Sequence, residues 1–244
     1  MNRILCSPDE VDDAGMALLA DRRADHILRV LRAAPGQVLR AGILDGPAAD
    51  ATVMTMDGGT VRIQLSAYGP APARARVDLL LALPRPKVLK RLLPQLAALG
   101  IDRLILANAR KVERYYFDSH VLAPEFCHAQ FVEGLQQAGH TRLPRVSIHR
   151  RLKILIEDEL DSLSDAGLRC LLHPPARERL VDMLTDSPTS RVLLALGPEG
   201  GWTDHELTLL QDHRFHPLRL GTRILRSDTA CVSAVAMAAE LIAA

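Results

Sequence analysis

The rhythm of hydrophobic and polar positions changes once along this chain, near residue 77. Before that point apolar residues come in short, partly alternating stretches, Gln37–Leu44, Asp50–Met56 and Thr60–Leu65, the period-two pattern of half-buried strands. Asp57-Gly58-Gly59 separates the last two and supplies a tight hairpin turn. Asp25–Arg32 has the spacing of a short helix that ends near Pro35-Gly36. A mainly β unit of this kind can close into a small barrel. The Pro-rich stretch Tyr68–Arg74 then reads as a linker, which predicts one domain over 1–73 and a second over 74–244.

Beyond the linker the apolar runs become continuous and alternate with helical periodicity. Val77–Leu83 predicts a buried strand, Pro86–Leu99 a helix and Arg103–Ala107 a second strand. Strand, helix and strand in that order make a βαβ unit, whose strands are parallel. The alternation resumes with a helix over Leu122–Ala138, a strand over Leu168–His173, a helix over Ala176–Leu184 and a strand over Arg191–Leu196. Uninterrupted apolar strands are what a parallel sheet covered on both faces requires. The fold class is α/β, with a mainly parallel sheet after a small β domain.

Composition narrows the picture only in places. In 244 residues, 48% hydrophobic positions supply a sizeable core, while 3% aromatics argue against a β-sandwich packed on rings. The net charge of +1 gives no case for nucleic-acid binding, but its distribution is uneven. From Arg74 to Arg114 basic residues outnumber Asp78, Asp102 and Glu113, which suits either an anionic-polymer surface or an Arg-rich solvated face. Cys6, Cys127, Cys170 and Cys231 are scattered, so neither a disulfide framework nor a zinc site is expected. The histidines show no HExxH or other ligand spacing, which disfavours a metal hydrolase. The first residues lack a basic and apolar leader pattern, and no apolar run is long enough to span a bilayer; a cytoplasmic protein without membrane attachment is expected.

Two motifs carry the chemistry. In the first, the strand Leu193–Leu196 runs into Gly197-Pro198-Glu199-Gly200-Gly201, and Thr203 with Glu206 has the spacing of a capping box that opens a helix. Such a strand-end loop is where open α/β sheets bind ligands, though an ordinary glycine-rich turn also fits. Neither GxGxxG nor GxxxxGK[ST] occurs, so dinucleotide and phosphate-loop sites are disfavoured. In the second, a short strand ends at Gly221, a loop carries Arg223 and Arg226, and Ser227 or Asp228 can cap a final helix. That helix is apolar on almost every face, which requires burial either inside the monomer or against a second subunit.

Together, Gly197-Pro-Glu-Gly-Gly and Leu220-Gly-Thr-Arg-Ile-Leu-Arg-Ser-Asp-Thr-Ala230 resemble the 16S ribosomal RNA uracil-N3 methyltransferase family of the SPOUT superfamily. Asp25-His-Ile-Leu-Arg-Val-Leu-Arg32 with Gly36 is similar to the family's amino-terminal motif. The resemblance implies a PUA-like RNA-binding barrel before a methyltransferase domain with a trefoil knot. It also implies a homodimer acting on 16S ribosomal RNA, on the small ribosomal subunit, with S-adenosyl-L-methionine as cofactor. Residues matching the cofactor loops are Leu172 and His173, then Leu196, Gly197, Pro198, Glu199 and Gly201, then Leu220, Gly221, Ile224, Leu225, Arg226, Thr229 and Ala230. Leu196 and Leu225 would form apolar walls, Arg226 would stabilise a uracil anion, and Glu199 would accept a proton. RNA contacts are expected from Arg22, Arg23, Arg29 and Arg32 in the first domain and Lys87, Lys90, Arg110, Lys111 and Arg114 in the second. The chain departs from the family where Gln95–Ile101 and Ala109–Arg114 replace a Glu-Leu-Gly-Val and a Glu-Arg-Ser sequence. Competing readings are another knotted methyltransferase, acting on a ribose 2′-oxygen or a tRNA base, and a non-catalytic RNA-binding protein of the same fold.

Overall fold

The computed structural model describes residues 3–187 and 189–243. The chain divides into two compact units, and the division is not a single cut. The first runs to Arg74 and also takes in Val132–Leu143; the second comprises Ala75–Phe131 and Pro144 onward. A boundary after residue 73 leaves Val132–Leu143 with the wrong partner. Its carbonyls of Gln136 and Gly139 accept from the Arg3 backbone and guanidinium, and the Thr141 hydroxyl donates to Gly46 O at 2.7 Å.

In the first unit five strands form one sheet in the order β1-β3-β4-β5-β2: β1 Ile4–Cys6, β2 Met16–Leu19, β3 Val38–Ile43, β4 Ala48–Asp57 and β5 Thr60–Ser66. β1 lies parallel to β3, and the other neighbours are antiparallel. The β4–β5 hairpin closes on Gly58 and Gly59 with φ of 54° and 86°, the two left-handed positions that a tight primed turn demands. The alternating pattern buries Ala51 and Val53 against Val61 and Ile63. The helix expected over Asp25–Arg32 begins earlier, with α1 Arg22–Asp25 capped by the Asp21 carboxylate, and continues as wider π turns over His26–Leu31. Arg32 ends it in the left-handed region at φ 49°.

The second unit is built on six strands in the order β11-β9-β10-β6-β7-β8, all parallel. They are β6 Val77–Ala82, β7 Arg103–Ala107, β8 Arg145–His149, β9 Leu168–Leu172, β10 Val192–Leu196 and β11 Phe215–Leu218. The central pair β6 and β10 is buried along its whole length, as continuous apolar runs predict. Helices α2 Pro86–Leu99 and α3 Pro124–Ala138 follow β6 and β7, the part of α3 from Val132 on being counted with the first unit. The helical stretch after β8 comprises α4 Leu152–Ile154, π turns over Leu155–Glu159 and α5 Leu160–Leu163. Helices α6 Leu180–Asp186, α7 Asp204–Asp212 and α8 Ser227–Ala243 complete the unit. β8 and the helical stretch after it were absent from the predicted elements, and α6 starts four residues later than the apolar pattern suggests.

Helix α8 packs on α2, α6, β6 and β10, which buries Cys231, Ala234, Val235 and Ala238 inside the unit. Much of its apolar character is thus explained within one chain. All four cysteines are buried, and burial pushes the thiols of Cys170 and Cys231 up to about 12. Among the described residues no helix is long and apolar enough to cross a membrane.

The N-terminal edge of this sheet holds an ion cluster. Arg191, just before β10, places Nη1 2.9 Å from Asp78 Oδ1 and 3.1 Å from Asp102 Oδ2, and the Ser164 hydroxyl donates to Asp78 Oδ2 at 2.6 Å. Burial raises the Asp78 carboxyl above its usual range, while the Ser164 hydrogen bond and the Arg191 charge pull it back. Arg191→Ala leaves two buried carboxylates without their cation. Urea unfolding at pH 7 should show a loss of about 3 kcal/mol with an unchanged denaturant slope. A loss under about 0.5 kcal/mol would mean that solvent already does the work of the guanidinium.

Candidate active site

Because the six strands are parallel, β9, β10 and β11 all leave the sheet on one side, and the loops after them meet there. They border a cleft of about 780 Å3 that includes space open to solvent. From the end of β9 come Leu172 and His173, from the end of β10 come Leu196, Gly197, Pro198, Glu199 and Gly201, from the last loop come Leu220, Gly221, Ile224 and Leu225, and from the first turn of α8 comes Ala230. The two sequence motifs therefore face each other across one cavity, as expected. Arg226 and Thr229 do not line it: both are exposed at the approach to α8. The lining also includes Pro174, Trp202, Arg219, Arg223 and Ser227, which sequence reasoning missed.

The glycine loop owes its shape to specific contacts. Gly201 sits at φ 69° with its N–H donated to Pro198 O at 2.8 Å, a left-handed turn that glycine adopts without strain. Gly197 serves a different purpose. A Cβ there would lie 3.0 Å from Nε1 of Trp202, so the indole rests directly on the main chain. At Gly201, by contrast, no protein atom lies within 4 Å of a Cβ position, so that side of the turn is open. Beyond the loop, the Thr203 capping box forms as its spacing predicts. The Glu206 carboxylate accepts from Thr203 N at 2.8 Å and, through its other oxygen, from Arg110 N at 2.7 Å. Lys111 Nζ donates to Gly200 O at 2.7 Å. These last two bonds tie the loop after β7 to the loop after β10.

Two buried donors on the cleft wall, Trp202 Nε1 and Arg219 Nε, have no hydrogen-bond partner among the described residues. Buried N–H groups are rarely left so, and here they mark places where a ligand acceptor fits. Apolar walls from Leu172, Leu196, Leu225 and Ala230 stand beside them. The cleft therefore suits a ligand with an apolar face and polar edges, held largely by main-chain turns. Among the described residues no group of three or more His, Cys, Asp or Glu side chains is arranged to hold a metal ion.

The basic residues expected at RNA have several fates. Arg22, Arg32, Lys87, Arg110 and Arg114 are exposed. Arg29 is exposed as well, paired with Asp25 one helical turn back at 3.3 Å. Lys90 stands 5.9 Å above the Phe126 ring, and Lys111 is engaged by Gly200. Arg23 is the correction: its side chain is largely buried, and its guanidinium is consumed by Glu10, Asp21 and Leu5 O. It holds the first unit together and has no free face for a phosphate.

A parallel α/β sheet with a ligand cleft at its carboxyl edge, built from glycine turns, defines the class of protein. Within that class, residues 71–239 match the RNA methyltransferase domain family, and the chain belongs to it. It is 30% identical to the ribosomal RNA small subunit methyltransferase E of Treponema pallidum over 97% of this chain and 90% of that protein. It is 25% identical to the ribosomal RNA small subunit methyltransferase E 1 of Borreliella burgdorferi, over 88% and 89%. A crystal structure of a ribosomal RNA small subunit methyltransferase E from Neisseria gonorrhoeae, bound to S-adenosyl methionine, shares the fold. Its TM-score is 0.77 at 18% identity, covering 97% of this chain and 95% of that one.

Trp202 is the one tryptophan in the sequence, so its fluorescence reports on the cleft alone. Gly197→Ala forces the indole to move by a few tenths of an ångström or more. The emission maximum should shift to longer wavelength while the far-ultraviolet circular dichroism stays that of the wild type. An unshifted spectrum would show that Trp202 does not rest on Gly197.

Proposed function

We propose that this protein transfers the methyl group of S-adenosyl-L-methionine to N3 of a specific uridine in 16S ribosomal RNA, with the small ribosomal subunit as substrate. The observation that carries the reading is the cleft itself, where the two glycine-bearing motifs meet beside the unpartnered N–H groups of Trp202 and Arg219. The names of the relatives, and the cofactor bound in the Neisseria structure, support the same chemistry.

When bound, the cofactor supplies an activated methyl group on a sulfonium centre. The chain's part is to hold and orient. Leu196 and Leu225 would flank the adenine, main-chain groups of Leu172, His173, Gly197, Pro198, Gly201, Leu220, Gly221 and Ile224 would hold the remainder, and Ala230 would close the end toward α8, with Thr229 beside it outside the lining. Fixing two substrates in line removes much of the entropic barrier. N3 of uracil must also lose its proton. Glu199, exposed on the cleft wall, is the acceptor assigned to it. Arg226 is the cation assigned to the developing anion, with Arg223 on the lining as its rival.

The five-stranded first unit is read as a PUA-like barrel, with Arg22, Arg29 and Arg32 toward RNA. The loops around the cleft are read as a trefoil knot, and the two domains are read as dividing near residue 73, with Val132–Leu143 returning to the first. A homodimer fits Ile224, 86% exposed, and Leu225, 38% exposed, since large apolar side chains in one loop invite a cover. The protein works in the cytoplasm, where ribosomes are assembled.

Small subunits lacking the modification, incubated with the protein and labelled cofactor, should yield 3-methyluridine on nucleoside mass spectrometry. A ribose 2′-O-methyl or methylpurine product overturns the reading. With both substrates saturating, Arg226→Lys should lower the single-turnover rate at least about a hundredfold, or ~2.7 kcal/mol, and leave cofactor affinity nearly unchanged. A near-normal rate, with the same loss produced by Arg223→Lys, transfers the role to Arg223.

A further inference from the structure

A second cavity opens at the same edge of the sheet, at the ends of β7 and β8, and encloses about 1420 Å3 including its mouth. Its lining carries Arg110 and Arg114 from the loop after β7, and Arg150, Arg151 and Lys153 from the turn after β8. The one carboxylate among the lining residues, Glu206, is occupied by the N–H groups of Thr203 and Arg110. Arg150 has Asp118 at 3.5 Å and Lys153 has Glu157 at 3.7 Å, both exposed pairs that hold weakly. Arg110, Arg114 and Arg151 have no ion pair among the described residues. Five cations thus surround one concavity with almost no local neutralisation, an arrangement that raises the local concentration of anions.

The wall between the two cavities is a single segment. Gly197, Pro198, Glu199, Gly201 and Trp202 line the cofactor cleft, and Thr203, His205, Glu206 and Leu209 line the basic cavity. Bonds from Lys111 to Gly200 and from Arg110 N to Glu206 hold the wall to the loop that carries the cations. An anion in the second cavity is therefore held in fixed register with the methyl-transfer cleft.

We infer that the basic cavity is a phosphodiester site for the RNA strand that carries the target uridine, with Arg151 and Lys153 each gripping a phosphate while the target nucleotide enters the neighbouring cleft. The inference rests on RNA as the proposed substrate and adds a docking point, on the turn after β8, to that reading. Arginine forks and lysine point charges are both suited to phosphate oxygens.

The test uses the full-length protein and does not depend on methyl transfer. Filter binding of labelled 16S RNA to the Arg151→Ala, Lys153→Ala double variant should show Kd raised about tenfold. The plot of log K against log salt should be shallower by about 1.4, the contribution of two single-strand phosphate contacts. Calorimetric affinity for the cofactor, measured without RNA, should stay at the wild-type value. Arg151→Lys with Lys153→Arg retains the charges and should bind RNA within about threefold of wild type. A double alanine variant with the wild-type Kd and salt slope overturns the proposal. So does a tenfold loss equally present in the charge-retaining variant, which would mark a structural role. If inorganic phosphate titrates into the cavity while RNA affinity is unaffected by the alanine variant, the site takes small anions and the RNA assignment fails. Loss of RNA binding in the variant, alongside a wild type that makes no 3-methyluridine, would sink the uridine reading and leave this one standing.

Discussion

One parallel hydrogen-bond ladder governs the second unit. When six strands run in the same direction, every exit lies on one edge and every entry on the other. Strands β6 and β10, buried from end to end, make the middle of that ladder rigid, and the loops at the exit edge can take irregular paths above it. Two cavities, the glycine turns and the unpartnered indole and guanidinium donors all stand at the exits. At the entries the chain instead gathers Asp78, Asp102 and Arg191 into a satisfied cluster. Trp202 Nε1, Arg219 Nε and Asn108 Oδ1 are left unpartnered at the edge where the cavities open, while at the opposite edge Arg191 pairs with both buried carboxylates, although Arg103 Nε there also lacks a partner among the described residues.

Glu206 joins local and distant structure. Its position three residues after Thr203 is a local rule of helix initiation, and the capping box follows from it. The second carboxylate oxygen has no local use, and it accepts the Arg110 N–H from another strand-end loop. A residue selected for capping thereby aligns the glycine loop with a basic loop ninety-six positions earlier in the chain.

What could be read from the sequence follows the range of the forces involved. Pro86–Leu99 and Arg103–Ala107 emerge with their expected ends because continuous apolar runs bounded by Pro and Gly leave few alternatives. The Gly58-Gly59 turn was legible for the same reason. β8 was not: Arg145–His149 is an edge strand with mostly exposed or half-buried residues, so its pattern carries little apolar signal. The return of Val132–Leu143 to the first unit rests on backbone acceptors paired with residues far away in sequence, which no local pattern records. In the cleft, the glycine motifs named most of the lining. Trp202 was overlooked although its signal was present, a lone tryptophan directly after the glycines. Arg23 was counted as a free cation although Asp21, two positions earlier, is its partner. Val235, on the final helix whose apolar faces fit burial either within the monomer or against a second subunit, lies wholly inside the unit in space.

The four cysteines give the molecule a property unconnected with its site. Each sulfur is enclosed, and enclosure disfavours the thiolate, which is the form that attacks peroxides and alkylating reagents. The thiols of the folded chain are in this sense silent toward oxidants. Its thiols become reactive only when the packing around them opens: Cys6 and Cys170 sit in different sheets, Cys127 and Cys231 on different helices. Reagent uptake at each sulfur is thus a clock for the opening of its own neighbourhood, and four such clocks are distributed through the fold.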